Sequence, residues 1–237
     1  VKLGPYELPG LYAGDALEGL RALPDGCIHC VVTSPPYWGL RNYEVEGQLG
    51  IERTPEAHVR AMVEVFREVR RVLRHDGTLW LNYGDSYTGN GGGKQHRGLL
   101  SGKAFAQLPH GTQYKTAPGL PKGSLVGMPW RVALALQADG WLLRADIIWH
   151  KRNPVPAPLR RRPTTAHEYV FLFAKSWGYF YDDDAVMEPV TGGAKPRGSG
   201  TTPKGEAAPP RVRRNNSVGA ALRNPVSKRV QRSVWSL

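Results

Sequence analysis

Residues 28–38 read Ile28-His-Cys-Val-Val-Thr-Ser-Pro-Pro-Tyr-Trp38, and this stretch decides the fold. Ile28 to Thr33 is rich in β-branched residues, which predicts a buried strand. Pro35 and Pro36 then stop it, because proline has no N–H to give to a ladder. In open α/β sheets, ligands bind beyond the carboxyl ends of the strands, so Ser34 to Tyr37 fall where a site is expected. The prolines fix the local backbone, and their carbonyls cannot turn away to pair with neighbours. Those carbonyls and the Ser34 hydroxyl can accept hydrogen bonds from an amino group. Tyr37 offers a flat face on which a planar base can stack.

Working outward, Leu11-Tyr-Ala-Gly-Asp15 predicts a short strand ending in a turn. Ala16 to Leu23 predicts a helix, closed by Pro24-Asp-Gly26. Thr54 is a suitable N-cap, with Pro55 at the first helical position. Val59, Met62, Val63, Phe66, Val69, Val72 and Leu73 then recur at intervals of three and four, which makes an amphipathic helix. Arg60, Glu64, Arg67, Glu68 and Arg71 form its other face. Gly77 is expected to end that helix, and Thr78 to Tyr83 to form the next strand. Gly127 to Ala138 predicts a further helix, with Pro129 near its start. Trp141 to Trp149 and Tyr169 to Phe173 predict two more strands. The alternation of strand and helix implies an α/β fold with a mostly parallel sheet.

This pattern covers residues 1–184, interrupted by a Gly-, Ser-, Thr- and Lys-rich insert at 84–123 that reads as a functional loop. Residues 185–237 are rich in Pro, Gly and Arg and read as a separate basic segment. The net charge of +12 favours an anionic partner, nucleic acid first. From Val186 to Leu237 there are ten Lys and Arg against two Glu, so +8 of that charge lies in the last stretch. No run of apolar residues is long enough to span a membrane, and no apolar signal region opens the chain; a cytoplasmic protein is expected.

Three motifs are set aside. Cys27 and Cys30 enclose His29 in a C-x-x-C, but structural zinc needs four ligands and no second pair exists. They read as small apolar residues at a strand start, and no metal site is expected. His167-Glu168 is not a zinc-protease motif, because position 171 is Phe. Gly91-Gly-Gly-Lys94 is not a phosphate loop, because Thr88 and Gln95 stand where that motif needs Gly and Ser or Thr.

Ser34-Pro35-Pro36-Tyr37 resembles the catalytic motif of the N4-cytosine and N6-adenine DNA methyltransferases, and a leading Ser is most similar to the N4-cytosine members. Gly14-Asp-Ala-Leu17 resembles the family's acidic loop, which meets the cofactor's adenine; Asp15 also reads as a helix N-cap. Gly77 to Ser86, Ile148 to Pro154 and His167 to Lys175 resemble later motifs, in the order of the family's permuted branch. The resemblance covers roughly residues 11–184. It implies a Rossmann-like fold with S-adenosylmethionine as cofactor, bound by Asp15, Thr33 and Ser34, and double-stranded DNA as partner. Ser34, Pro35, Pro36 and Tyr37 would be catalytic. Lys151, Arg152, Arg211, Arg213 and Arg214 are candidate DNA contacts, although His150 and Lys151 read equally well as strand-end surface residues. A cognate restriction endonuclease is a candidate partner.

The implied chemistry is direct. An aromatic amine is a poor nucleophile because its lone pair is conjugated into the ring. Hydrogen bonds from its N–H groups to Ser34 and the Pro35 carbonyl would favour pyramidalisation and free that pair. The base must first leave the duplex, at a cost of a few kcal/mol. Tyr37 would stack on it, a role that needs the ring and not the hydroxyl. The family's acidic-Pro-aromatic-x-Gly-x-Gly cofactor stretch is not found, so the chain is expected to be the N-terminal part of a longer enzyme lacking the cofactor-motif half. The alternatives are an inactive basic DNA-binding fragment, or a protein or RNA amino-methyltransferase on the same fold.

Overall fold

The computed structural model describes residues 2–43, 45–89, 117–154, 162–189 and 228–236. The chain forms two compact units, Val1–Phe180 with Ser233–Leu237, and Tyr181–Arg232. In the second unit, β7 (Glu188–Pro189) pairs antiparallel with β8 (Lys228–Arg229), and Arg232 Nε donates to Glu188 Oε2 at 3.0 Å.

The first unit opens with a small antiparallel pair, β1 (Lys2–Leu3) and β2 (Tyr6–Glu7), followed by α1 (Ala16–Arg21). Then come β3 (Ile28–Thr33), α2 (Pro55–Val72), β4 (Leu73–Tyr83), α3 (Met128–Ala138), β5 (Leu142–His150), β6 (His167–Ala174) and β9 (Val234–Ser236). Five strands form one sheet in the order β3-β4-β6-β5-β9. β3 is parallel to β4, and β5 to β9, while β6 is antiparallel to both of its neighbours. Four of the five strands therefore point the same way, and the fold is the expected Rossmann-like α/β type.

α2 forms as its periodicity predicts. Thr54 Oγ1 caps it by accepting from Ala57 N at 3.1 Å, and Pro55 needs no N–H partner there. Its buried Met62, Phe66 and Val69 share a core with Leu79 and Leu81 of β4, Phe171 and Phe173 of β6, and Val132 and Leu136 of α3. Each such side chain contributes roughly 1.5–3 kcal/mol by leaving water. This packing anchors β4 beside β3, which matters because both strands carry the site.

Four expectations are corrected. β3 is not buried: none of its residues is, and Val32 is 78% exposed, because the strand lies at the edge of the sheet among the described residues. Leu11 to Asp15 is not a strand: it joins no strand ladder among the described residues, and Leu11 is fully exposed at 102%. A strand exists only where a neighbour completes its ladder, which local sequence cannot supply. The helix ends at Val72 rather than Gly77, because Leu73 turns to extended backbone and starts β4. Gly77 lies inside that strand, where a Cβ would meet His29 O at 3.1 Å and Arg74 O at 3.0 Å. It marks a close approach of two backbones and not a helix stop. Finally, Val234 to Ser236 adds a strand beside β5 that the local pattern does not announce.

The ends of the 84–123 insert are closed onto each other: Thr88 N donates to Ser124 O at 2.9 Å, and Gly123 N to Thr88 O at 2.8 Å. Residues 90–116, most of that insert, lie outside the described residues. No helix among the described residues is long and apolar enough to cross a membrane.

Candidate active site

The parallel register places Val31 opposite Leu79 and Thr33 opposite Leu81. Ser34 thus leaves the sheet at the carboxyl end of β3, level with Asn82 near the end of β4. Beyond it the chain is pinned. Trp38 is 2% exposed, and its Nε1 donates to Glu52 O at 2.9 Å. Gly39 N donates to Gly50 O at 2.8 Å. Gly50 has φ +91°, and a Cβ there would stand 3.0 Å from Tyr37 O, so a side chain is disfavoured twice over.

Three oxygens converge in this corner. Tyr37 hydroxyl donates to Asn82 Oδ1 at 2.7 Å, and Ser34 Oγ donates to the same oxygen at 3.2 Å. Ser34 Oγ and Tyr37 Oη are 2.9 Å apart. Asn82 is oriented from behind, because its Nδ2 donates to Glu168 Oε2 at 3.2 Å and to Tyr169 O at 3.1 Å. Glu168 Oε1 in turn is paired with Lys151 Nζ. Burial pushes the Tyr37 hydroxyl above its ordinary value; the Ser34 hydrogen bond opposes this, and the charge of Glu168 adds to it. The hydroxyl therefore keeps its proton and remains a donor.

The Tyr37 ring lies against Tyr83, with centroids 5.0 Å apart and planes tilted by 33°. Beneath it runs a second polar chain. The Glu52 carboxylate accepts from Gly50 N at 3.0 and 3.1 Å and lies 2.8 Å from His58 Nδ1. His58 is fully buried, and its Nε2 is hydrogen-bonded to the Tyr83 hydroxyl. Burial pushes the Glu52 carboxyl up, but the hydrogen bond and charge of His58 outweigh it and hold the group below the ordinary carboxylate value. Burial raises Tyr83 strongly.

The remaining candidates divide. Asp15 caps α1: its Oδ1 accepts from Leu17 N at 2.9 Å and Glu18 N at 3.0 Å, and the residue is exposed. Lys151 is engaged by Glu168, Arg152 is exposed, and His150 Nδ1 lies 3.1 Å from Ser236 Oγ. Arg211, Arg213 and Arg214 lie outside the described residues. Sequence reasoning missed the roles of Asn82, Glu168, Glu52, His58 and Tyr83. A signal existed for Asn82, the amide that interrupts the apolar run Leu79-Trp-Leu-Asn-Tyr83 in a central strand. Such a residue needs buried partners or a ligand.

Taken together, the corner is an acceptor-rich rim on a rigid support, suited to a planar group bearing an amine. Residues 28–218 match the sequence profile of the N6/N4 DNA methylase family. Among curated relatives, the Type II methyltransferase M.XycI of Xanthomonas campestris pv. cyanopsidis is 50% identical over 184 residues, 77% of this chain and 60% of that protein. M.Cfr9I of Citrobacter freundii is 46% identical over 192 residues, 80% of this chain and 62% of its own length. M.SmaI of Serratia marcescens is 47% identical over 184 residues, covering 76% of this chain and 61% of that protein. The chain thus spans about 60% of the length of these relatives. A solved structure, the PvuII DNA methyltransferase (cytosine-N4-specific), superimposes with a TM-score of 0.50 at 21% identity, over 74% of this chain and 52% of that one, which speaks to the fold.

Proposed function

The chain belongs to the N6/N4 DNA methylase family, and from that premise we propose that it serves methyl transfer from S-adenosylmethionine to the exocyclic amine of a base flipped out of duplex DNA, with cytosine N4 as the target. The observation that carries this is the placement of Ser34-Pro-Pro-Tyr37 at the carboxyl end of β3, with Ser34, Tyr37 and Asn82 converging there. The leading Ser, and the cytosine-N4 specificity of the PvuII enzyme, support N4 of cytosine.

The residues suit the cofactor. Thr33 and Ser34 end β3 on its open side, where Cys30 and Val32 are exposed. Asp15 uses only Oδ1 for its cap, which leaves Oδ2 as an acceptor for a polar ligand. S-Adenosylmethionine, when bound, supplies an electrophilic methyl group. This chain's residues then hold and orient the amine. Ser34 Oγ and the Pro35 carbonyl accept its N–H groups, and the same oxygens stabilise the positive charge that grows on nitrogen. The exposed face of Tyr37 stacks on the base and offsets part of the flipping cost, at roughly 1–3 kcal/mol. Arg152 and the basic segment holding Arg211, Arg213 and Arg214 contact phosphates.

The test uses the full-length protein with tritiated S-adenosylmethionine and duplex DNA. Label should enter the DNA, and log affinity should fall linearly with log salt. Replacing Arg211, Arg213 and Arg214 by Ala should flatten that slope by about 0.9 per lost phosphate contact. Label that enters protein or RNA instead would overturn the DNA assignment.

A further inference from the structure

We propose that Asn82, held by Glu168 and Lys151, turns the hydroxyl protons of both Ser34 and Tyr37 inward, so that Ser34 meets the target base only as an acceptor and the site selects an exocyclic amine over a carbonyl. The inference rests on the function proposed above and names a specificity-determining array for it.

The argument is a count of protons. Asn82 Nδ2 faces two acceptors, Glu168 Oε2 at 3.2 Å and Tyr169 O at 3.1 Å. Reversing the amide would set Oδ1 against a carboxylate and a carbonyl, so the amide has one tolerable orientation. Lys151 fixes the carboxylate that enforces it. Oδ1 therefore points at Ser34 and Tyr37 and has no proton to give. Tyr37 sends its single proton to that oxygen at 2.7 Å. Ser34 has one proton and two inward acceptors, Asn82 Oδ1 at 3.2 Å and Tyr37 Oη at 2.9 Å. Whichever it takes, both protons are spent inside the triangle, and only lone pairs of Ser34 remain for the exposed side. Pro35 and Pro36 follow with carbonyls and no N–H. The rim therefore has no donor from its hydroxyl or from its next two residues. A base presenting N–H groups is matched, and one presenting C=O leaves facing lone pairs unpaired.

Asn82 is a positioning residue: it acts on the base through Ser34. The charge-preserving exchange Asn82→Asp with Glu168→Gln tests this role, because it restores the bond between the two positions with donor and acceptor interchanged and keeps an acceptor facing Ser34 and Tyr37, at the loss of the bond to Tyr169 O.

The experiment first locates the methylated base by sequencing plasmid DNA modified by the full-length enzyme. Affinity is then measured for duplexes with that base, or its carbonyl analogue, opposite an abasic site, so that pairing energy does not enter. The pair is cytosine and uracil, or adenine and hypoxanthine. Wild type should favour the amine by about 30-fold. Asn82→Leu frees the Ser34 proton, and the preference should fall to about threefold. Asn82→Asp alone should lose turnover, and the double exchange should recover both turnover and preference to within about fivefold of wild type. A wild type that methylates an amine yet binds the carbonyl duplex as tightly overturns this inference alone. So does an Asn82→Leu enzyme with its preference intact, or a double exchange no better than Asn82→Asp. An enzyme that leaves no methylated amine in DNA overturns the functional reading, and this inference with it.

Discussion

A Cβ added to Gly84 would stand 2.6 Å from Cε2 and 2.9 Å from Cδ2 of Tyr37, so the glycine just beyond β4 makes the space in which the Tyr37 ring lies. Gly84→Ala should swing that ring out of place. The strain of overpacking should cost about 1–3 kcal/mol of stability, because Tyr37 is only half-buried and can yield. Turnover should suffer more, by about 100-fold, as expected for a reacting group misplaced by an ångström. Steady-state kinetics beside a denaturant melt measures both, and an unimpaired kcat would show that the position of Tyr37 does not matter.

Tyr37 has two parts with separate work. The ring was expected to stack and the hydroxyl to be dispensable, but the hydroxyl donates to Asn82 Oδ1 and neighbours Ser34 Oγ. Tyr37→Ala should abolish nearly all turnover while cofactor affinity is kept. Tyr37→Phe keeps the stacking face, worth roughly 1–3 kcal/mol, yet leaves Asn82 and Ser34 short of a partner. It should lower kcat by about tenfold, with KM for DNA little changed. Equal activity of the Phe variant and wild type would remove the hydroxyl from the account.

Much of this site was legible in the sequence, and the limits have physical causes. Ser34 to Tyr37 could be placed because β-branched residues and two prolines define a strand end without reference to anything distant. α2 was legible because its period of three and four is local. Asn82, Glu168 and Lys151 meet only through the register of β4, β6 and β5, where Asn82 pairs with Val170 and Trp149 with Glu168. No local pattern states a register. The reversed direction of β6 and the docking of Val234 to Ser236 beside β5 are likewise long-range, and Leu11 to Asp15 failed as a strand for want of a neighbour.

Stability towards acid should depend on Glu52. Its folded-state value lies below the ordinary one near 4.5, because His58 outweighs the effect of burial. The contribution is therefore complete above about pH 4.5 and is lost as pH falls through the lower folded value. Glu52→Gln should flatten the acid limb of stability against pH. Urea midpoints from roughly pH 3 to 6 check this, and an unchanged limb would mean that Glu52 is not a group whose protonation unfolds the protein.

Asp85 ties the end of β4 to α3. Its carboxylate accepts from Gly127 N and Met128 N, each at 3.0 Å, and so does the work that Gly127, having no side chain, cannot do as N-cap. Burial raises its carboxyl above the ordinary value, and the backbone donors oppose this. Asp85→Ala should destabilise by about 1–2 kcal/mol, the usual loss for a helix cap. Asp85→Asn should recover part of it. Thermal melts of the three proteins decide, and an Ala variant as stable as wild type would remove the capping role.

The most direct measurement is the identity of the methylated nucleoside. DNA treated with the full-length enzyme and S-adenosylmethionine is digested to nucleosides and analysed by mass spectrometry beside DNA treated with the Tyr37→Ala variant. The account predicts N4-methylcytosine from wild type and almost none from the variant. N6-methyladenine would correct the target base while leaving the site intact. A ring-carbon product such as 5-methylcytosine, or equal yield from Tyr37→Ala, would contradict the claim that Ser34-Pro-Pro-Tyr37 presents an exocyclic amine for methylation.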